Sequence, residues 1–348
     1  MKKRVIGKLE KCYSIAPLMY QGKRHTLVAA EKTDRCILFD ENGNEEATVW
    51  EGPGGVMSMV QVPGTDGEFL ATHKFYSPND SKDAKIIMAV PTDRNVWEVR
   101  TLVDLPFVHR FDIIESGEER YLIACTLKSG HEYKDDWSKS GRVYVAKLPE
   151  NLQKFNEENQ LKLEVLKEGL LKNHGYYKIE EDGVYSAIVS CDNGIYRFYP
   201  PTIDHPEWEE ELILDTPASD ATLIDLDGDG KKELVVIAPF HGDEITIYKK
   251  KQGHYEKIYE FYEKAEFLHA IWSGTIADKP VVVLGHRKGA RKLIIFMWDG
   301  EKICYKVIDE NCGTANVYGY HLGEKDILIA TNREINEIAM YEFVKGEL

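Results

Sequence analysis

Nine consecutive residues, Asp225-Leu226-Asp227-Gly228-Asp229-Gly230-Lys231-Lys232-Glu233, carry carboxylates at positions 1, 3, 5 and 9. That spacing lets four carboxylates converge on one hard cation. Gly228 and Gly230 permit the tight backbone that convergence needs, and the Lys231 carbonyl offers a further oxygen. An oxygen-rich, thiol-free set suits Ca²⁺ rather than zinc. The plainer alternative is an acidic hairpin turn that binds nothing. The loop begins like an EF-hand, but position 12 is Val236, inside an apolar run, so the ligands belong to a turn between two strands.

The histidines offer a different chemistry. Three of the eleven, His109, His174 and His269, begin the same kind of strand in three different repeats of the chain, with Asp220 and Asn316 at the matching places of two others. Three neutral imidazoles with a carboxylate (His109, His174, His269 and Asp220) suit a divalent transition metal with an open position, whether Zn, Mn, Fe or Ni, or alternatively Mg. The bland reading is a set of histidines lining a wet channel and bonded to backbone and water.

Both sets need strands to position them. With the acidic loop as a ruler, a repeat of about 48 residues emerges. Each unit has a small-residue inner strand, a turn, a strongly apolar second strand and two further alternating strands. The second strands are the clearest copies, among them Thr26 to Ala30, Tyr121 to Cys125, Glu233 to Ile237 and Asp326 to Ala330. Seven such units read as an all-β, seven-bladed β-propeller of four-stranded antiparallel blades, one domain over residues 1–348. Its blades span about 12–52, 53–104, 105–170, 171–217, 218–264, 265–312 and 313–348 plus 1–11. The seventh unit lacks a fourth strand and the N-terminus has a spare one, so residues 3–11 are expected to close the ring and remove the open edge. The rival is an open solenoid, which leaves that strand without a partner.

Composition narrows the partners. A formal charge of −15 argues against a nucleic-acid backbone or an anionic membrane surface. No apolar run approaches the ~20 residues of a membrane span. The basic start, Met1-Lys2-Lys3-Arg4, has no apolar stretch after it, so no signal peptide is expected. Six cysteines form no CxxC pair and read as buried apolar side chains in a reducing compartment, with cytoplasm as the expected location.

In propeller geometry, blade-to-blade connections and second-to-third loops share one face, around the channel mouth. His73, His109, His131, His174, His241, His269 and His286 fall there, and His25, His205, His254 and His321 fall on the acidic-loop face. The longest insertions, Tyr76 to Ala84 and His131 to Ser140, lie at the mouth, where binding residues are usually grafted. His73, Arg110, Trp137, Tyr176, Arg287 and Asn316 are expected to bind substrate. His131 or Tyr133 would serve as base and Tyr177 or Lys74 as general acid. Aromatic planes beside carboxylates, amides and basic groups suit a small polyhydroxylated ligand.

The Asp225–Glu233 pattern resembles the FG-GAP/VCBS repeat of integrin-type propellers, which implies calcium held by Asp225, Asp227, Asp229, Lys231 and Glu233. The stretches Phe107-Val108-His109-Arg110-Phe111-Asp112, Leu122 to Thr126 and Tyr133 to Trp137 are similar to bacterial relatives of the propeller domain of aldos-2-ulose dehydratase. That resemblance covers the propeller only and implies a metal-dependent carbohydrate lyase or dehydratase working by β-elimination. The competing expectation is a non-catalytic FG-GAP-type propeller that binds a glycan or a protein.

Overall fold

Strands that are apolar on both faces need a covering sheet on each side, and radial stacking of sheets supplies one. The computed structural model describes residues 1–348 as seven four-stranded antiparallel sheets. The inner strands are Cys12–Tyr20, Met59–Gln61, Val108–Ser116, Gly175–Glu181, Asp220–Ile224, Leu268–Ile276 and Asn316–Leu322. Each lies against the inner strands of both neighbouring blades, so the seven form a closed seven-bladed β-propeller. The only helical element is a 3-10 turn, Arg333–Ile335. No helix is long and apolar enough to cross a membrane.

Strand alternation builds the interfaces between blades. In the second strand of blade 3, Leu122 and Ala124 face blade 2, packing with Ile86 and Met88. Ile123 and Cys125 face blade 4, packing with Ala187 and Val189. Period-two side chains thus give one strand to two cores at once. All six cysteines are free thiols, five of them buried.

The N-terminal strand Lys2–Lys8 is the outer strand of blade 7 and pairs antiparallel with Glu337–Val344, from Lys2 opposite Glu342 to Lys8 opposite Glu337. Behind this seam, Leu9 packs with Val28, Ile37 and Phe39 of blade 1 and with Ile327, Ile329 and Met340 of blade 7. Lys3 Nζ ties the strand to Asp309 and Glu337, both at 2.7 Å. The expected ring closure is the observed one.

The fourth strand of blade 3 is Glu164–Leu170, and the long segment before it packs inward. Leu152, Phe155 and Leu161 turn into the core shared by blades 2 and 3, and the Leu161 amide donates to the Leu102 carbonyl at 2.9 Å.

Candidate functional site

One local device aims side chains at the axis. At the head of three inner strands the pairing register skips a residue, and the extra residue is Tyr13, His109 or His269. A β-bulge of this kind leaves one residue out of the ladder and re-aims its side chain. Two residues earlier the backbone turns left-handed, at Lys11, Phe107 and Phe267, with φ of 52°, 64° and 63°. Lys172, with φ of 50°, stands in the same relation to His174. Tyr13, His109, His174 and His269 are therefore equivalent residues of blades 1, 3, 4 and 6.

Backbone carbonyls of neighbouring blades fix the imidazoles. His109 Nδ1 lies 3.1 Å from the His174 carbonyl, His174 Nδ1 3.1 Å from the Ser219 carbonyl, and His269 Nδ1 2.8 Å from the Ala315 carbonyl. A carbonyl only accepts, so each Nδ1 carries the proton and each Nε2 presents its lone pair. Gly175 makes the blade 4 contact feasible, since a Cβ there would stand 2.5 Å from the Ser219 carbonyl oxygen. Burial, the largest influence on all three rings, drives their pKa values well below the ordinary imidazole range, so they are neutral.

A fourth ring joins them from a loop. His241, between the second and third strands of blade 5, is sandwiched between Phe240 and Phe267, with ring centroids 4.0 and 4.4 Å away. Its Nε2 lies 3.2 Å from His174 Nε2. Ring nitrogens of His174, His241 and His269 all lie within 4.8 Å of one another. At a tetrahedral ion with Zn–N bonds of ~2.0–2.1 Å, two ligand nitrogens stand roughly 3.3–3.4 Å apart. His174 and His241 are close to that spacing already. Burial, helped by Arg287, Lys288, Arg110 and Lys172, lowers the His241 pKa to about 3. The Tyr13 hydroxyl lies 2.9 Å from His269 Nε2, and His109 packs on His174 with ring centroids 4.5 Å apart.

These groups line a cavity of about 320 Å³ at the mouth, walled by Phe75, Trp137, Phe240 and Phe267. Trp137 is held from beneath by Lys128, a fully buried ammonium 4.5 Å from its ring centroid and 3.0 Å from the Asp136 carbonyl. Asp136 is 2% exposed and accepts the amides of Glu132 and Ser138. Arg287 also lines this cavity, paired with Glu334 at 2.9 Å.

Asp220 and Asn316 are not in the histidine ring. The carbonyls that clamp His174 and His269 belong to Ser219 and Ala315, so those residues are the equivalents in blades 5 and 7. One residue further on, side chains point deeper. There Asp220 and Asn316 line a second cavity of about 180 Å³ with Arg110, Tyr176 and Tyr177, and His269 borders both cavities. Burial lifts the Asp220 pKa to about 7, with Arg110 opposing the shift.

The remaining expected residues are dispersed. His73 and Lys74 line a separate cavity of blade 2 with Lys85 and Arg100. Tyr133 is 68% exposed, and His131 sits edge-on to Phe107, 5.6 Å between ring centroids. Tyr177 is engaged at 2.7 Å with Ser273 Oγ in the deeper cavity. None of these four acid–base candidates (His131, Tyr133, Lys74, Tyr177) lines the histidine cavity. Sequence reasoning passed over His241, which was placed on the mouth face but not in the ligand set, and Tyr13. The signal for Tyr13 was its place at the head of an inner strand, where other blades carry histidine.

No known family model matches the chain, and no curated protein matches it. Among solved structures, the β-propeller domain of Cps50 (Swd1) from Myceliophteria thermophila aligns with a TM-score of 0.62 at 11% identity, covering 98% of this chain and 99% of that one. A likeness at that identity establishes a β-propeller fold and carries no chemistry.

Proposed function

We propose that the chain is a metal-dependent carbohydrate lyase or dehydratase whose centre is held by His174, His241 and His269. The observation that carries this reading is the convergence of three neutral imidazoles from three blades on one point of a ligand-sized cavity. Donors that are all nitrogen suit Zn, Fe or Ni better than Mg, which prefers oxygen. His109 supports the set through its packing on His174, and Asp220 moves from metal ligand to acid–base candidate.

A metal bound there would supply Lewis acidity, polarising a sugar carbonyl and acidifying the adjacent C–H. The chain's own groups would do the rest. Asp220, with a pKa near neutrality, is suited to accept a proton at physiological pH. Tyr13, whose phenol is pushed up by burial, holds its proton and is suited to donate one to a departing hydroxyl. Trp137, Phe240 and Phe267 wall the cavity in which a sugar would sit, and Arg110 and Asn316 offer polar contacts below. Positioned acid–base groups contribute about 10²–10⁴-fold in rate.

A second reading, a non-catalytic propeller that binds a glycan or protein, is favoured by one feature. The His241–His174 and Tyr13–His269 contacts also satisfy one another as ordinary hydrogen bonds. Metal analysis of protein purified without chelator separates the two. One transition-metal ion per chain, together with formation of an absorbing unsaturated carbonyl product from a β-hydroxy keto-sugar, supports the enzyme. Protein that binds no such metal when offered Zn, Fe or Ni rules it out and leaves the binding module.

A further inference from the structure

We propose that the Asp225–Glu233 loop is a cation site filled from within, its resident cation being the ammonium of Lys249. The loop has the donor types that calcium needs, but most of its carboxylate oxygens are committed. Both oxygens of Asp225 accept backbone amides, from Gly228 at 2.8 Å and Gly230 at 2.9 Å. Asp227 Oδ1 accepts the Asp229 amide, Asp229 Oδ1 the Lys231 amide and Glu233 Oε2 the Leu226 amide. Each of these last three carboxylates has one oxygen left, and all three meet on Lys249 Nζ. The distances are 2.5 Å to Asp227 Oδ2, 3.0 Å to Asp229 Oδ2 and 2.8 Å to Glu233 Oε1. The ammonium donates a hydrogen bond to Asp227, and its contacts with Asp229 and Glu233 are ion pairs, so three carboxylates surround one cation.

Strand register puts Lys249 there. It stands directly opposite Glu233 in the ladder between the second and third strands of blade 5, on the same face. The Glu233 residue is 1% exposed and the Lys249 side chain 13%. Burial works against the lysine charge, and the contacts with Asp227, Glu233 and Asp229 outweigh it, leaving the ammonium firmly protonated. A calcium ion in this position would have to expel a tethered cation, so calcium is a competitor for the site and not its standing occupant.

The test compares wild type with Lys249→Met, which keeps an unbranched side chain as far as the Cε position and removes the ammonium. The probes are CaCl₂ and EDTA, read by thermal unfolding and by calcium titration. Wild-type melting should be unchanged between 1 mM EDTA and 1 mM calcium. Lys249→Met should melt lower in EDTA, recover in calcium and bind calcium at least tenfold more tightly than wild type. If Lys249→Met does not fold in EDTA, the Asp227→Asn/Lys249→Met double variant, which removes an opposing charge, should fold and melt above it. The proposal is overturned if wild type is stabilised by calcium and Lys249→Met binds it no more tightly. It is equally overturned if Lys249→Met in EDTA is as stable as wild type.

Discussion

Leu9 is where the closing strand meets the core, and truncating it measures what closure contributes. The side chain is 2% exposed, set among Val28, Ile37, Phe39, Ile327 and Ile329, with its amide on the Asn336 carbonyl at 3.2 Å. Leu9→Ala leaves that hydrogen bond intact and removes only buried methyl groups. Substitutions of this kind cost about 3 kcal/mol when the surroundings relax only partly. An unfolding entropy of about 2.1 cal/mol/K per residue gives roughly 0.7 kcal/mol/K for a chain of this length, so the melting temperature should fall by about 4 °C. Deleting residues 1–8 should lower it further, because the Glu337–Val344 strand then loses its ladder partner. Scanning calorimetry reads both variants. A Leu9→Ala shift below about 1 °C in a cooperative transition would refute the reasoning, since the seam would then bear no load.

The channel and the blade contacts give further tests. His174→Ala and His241→Ala should each abolish stoichiometric transition-metal binding with little change in far-ultraviolet circular dichroism, whereas His205→Ala, at the far face, should retain the metal. Gly175→Ala places a Cβ 2.5 Å from the Ser219 carbonyl oxygen, so it should destabilise the ring by about 1–3 kcal/mol in a denaturant titration. Acid should unfold the protein early. His73 and His241 have folded pKa values near 3 against about 6.5 unfolded, so the unfolded chain binds more protons below pH 6.5. Stability should be full above pH 6.5 and fall by roughly 1.4 kcal/mol per pH unit for each ring as pH drops toward 3. A melting temperature that is flat from pH 7 to 4.5 contradicts the buried neutral assignment.

The architecture was legible because its signals are local and repeated. Runs such as Tyr121 to Cys125 recur with turns between them, and a spare strand at the start against a missing one in the last unit leaves one economical closure. The axial histidines were legible as equivalent strand starts. What spacing could not reveal was the bulge at Tyr13, His109 and His269, which changes direction within one residue, or that Ser219, whose carbonyl holds His174, stands in their row in place of Asp220. His241 depends on a loop folded back between two phenylalanines, and no periodicity marks a loop. Lys249 meets the acidic loop only because of cross-strand register. Pairing partners 16 residues apart are invisible until the hairpin is built.

The closing seam also sets a schedule for synthesis. Lys2–Lys8 leaves the ribosome before its partner Glu337–Val344, which follows only after the intervening chain has been made. At elongation rates of about 5–20 residues per second, that interval is roughly 15–70 s. Throughout it blade 1 has one unguarded flank and the first strand has no ladder to join, a state prone to pairing with another chain. The lysines and arginine of that strand, Lys2, Lys3, Arg4 and Lys8, are the kind of charges that keep a waiting edge apart from its copies. In the finished ring, Lys3 is bound to Asp309 and Glu337. The same side chain that discourages a wrong partner during translation helps to hold the right one afterwards.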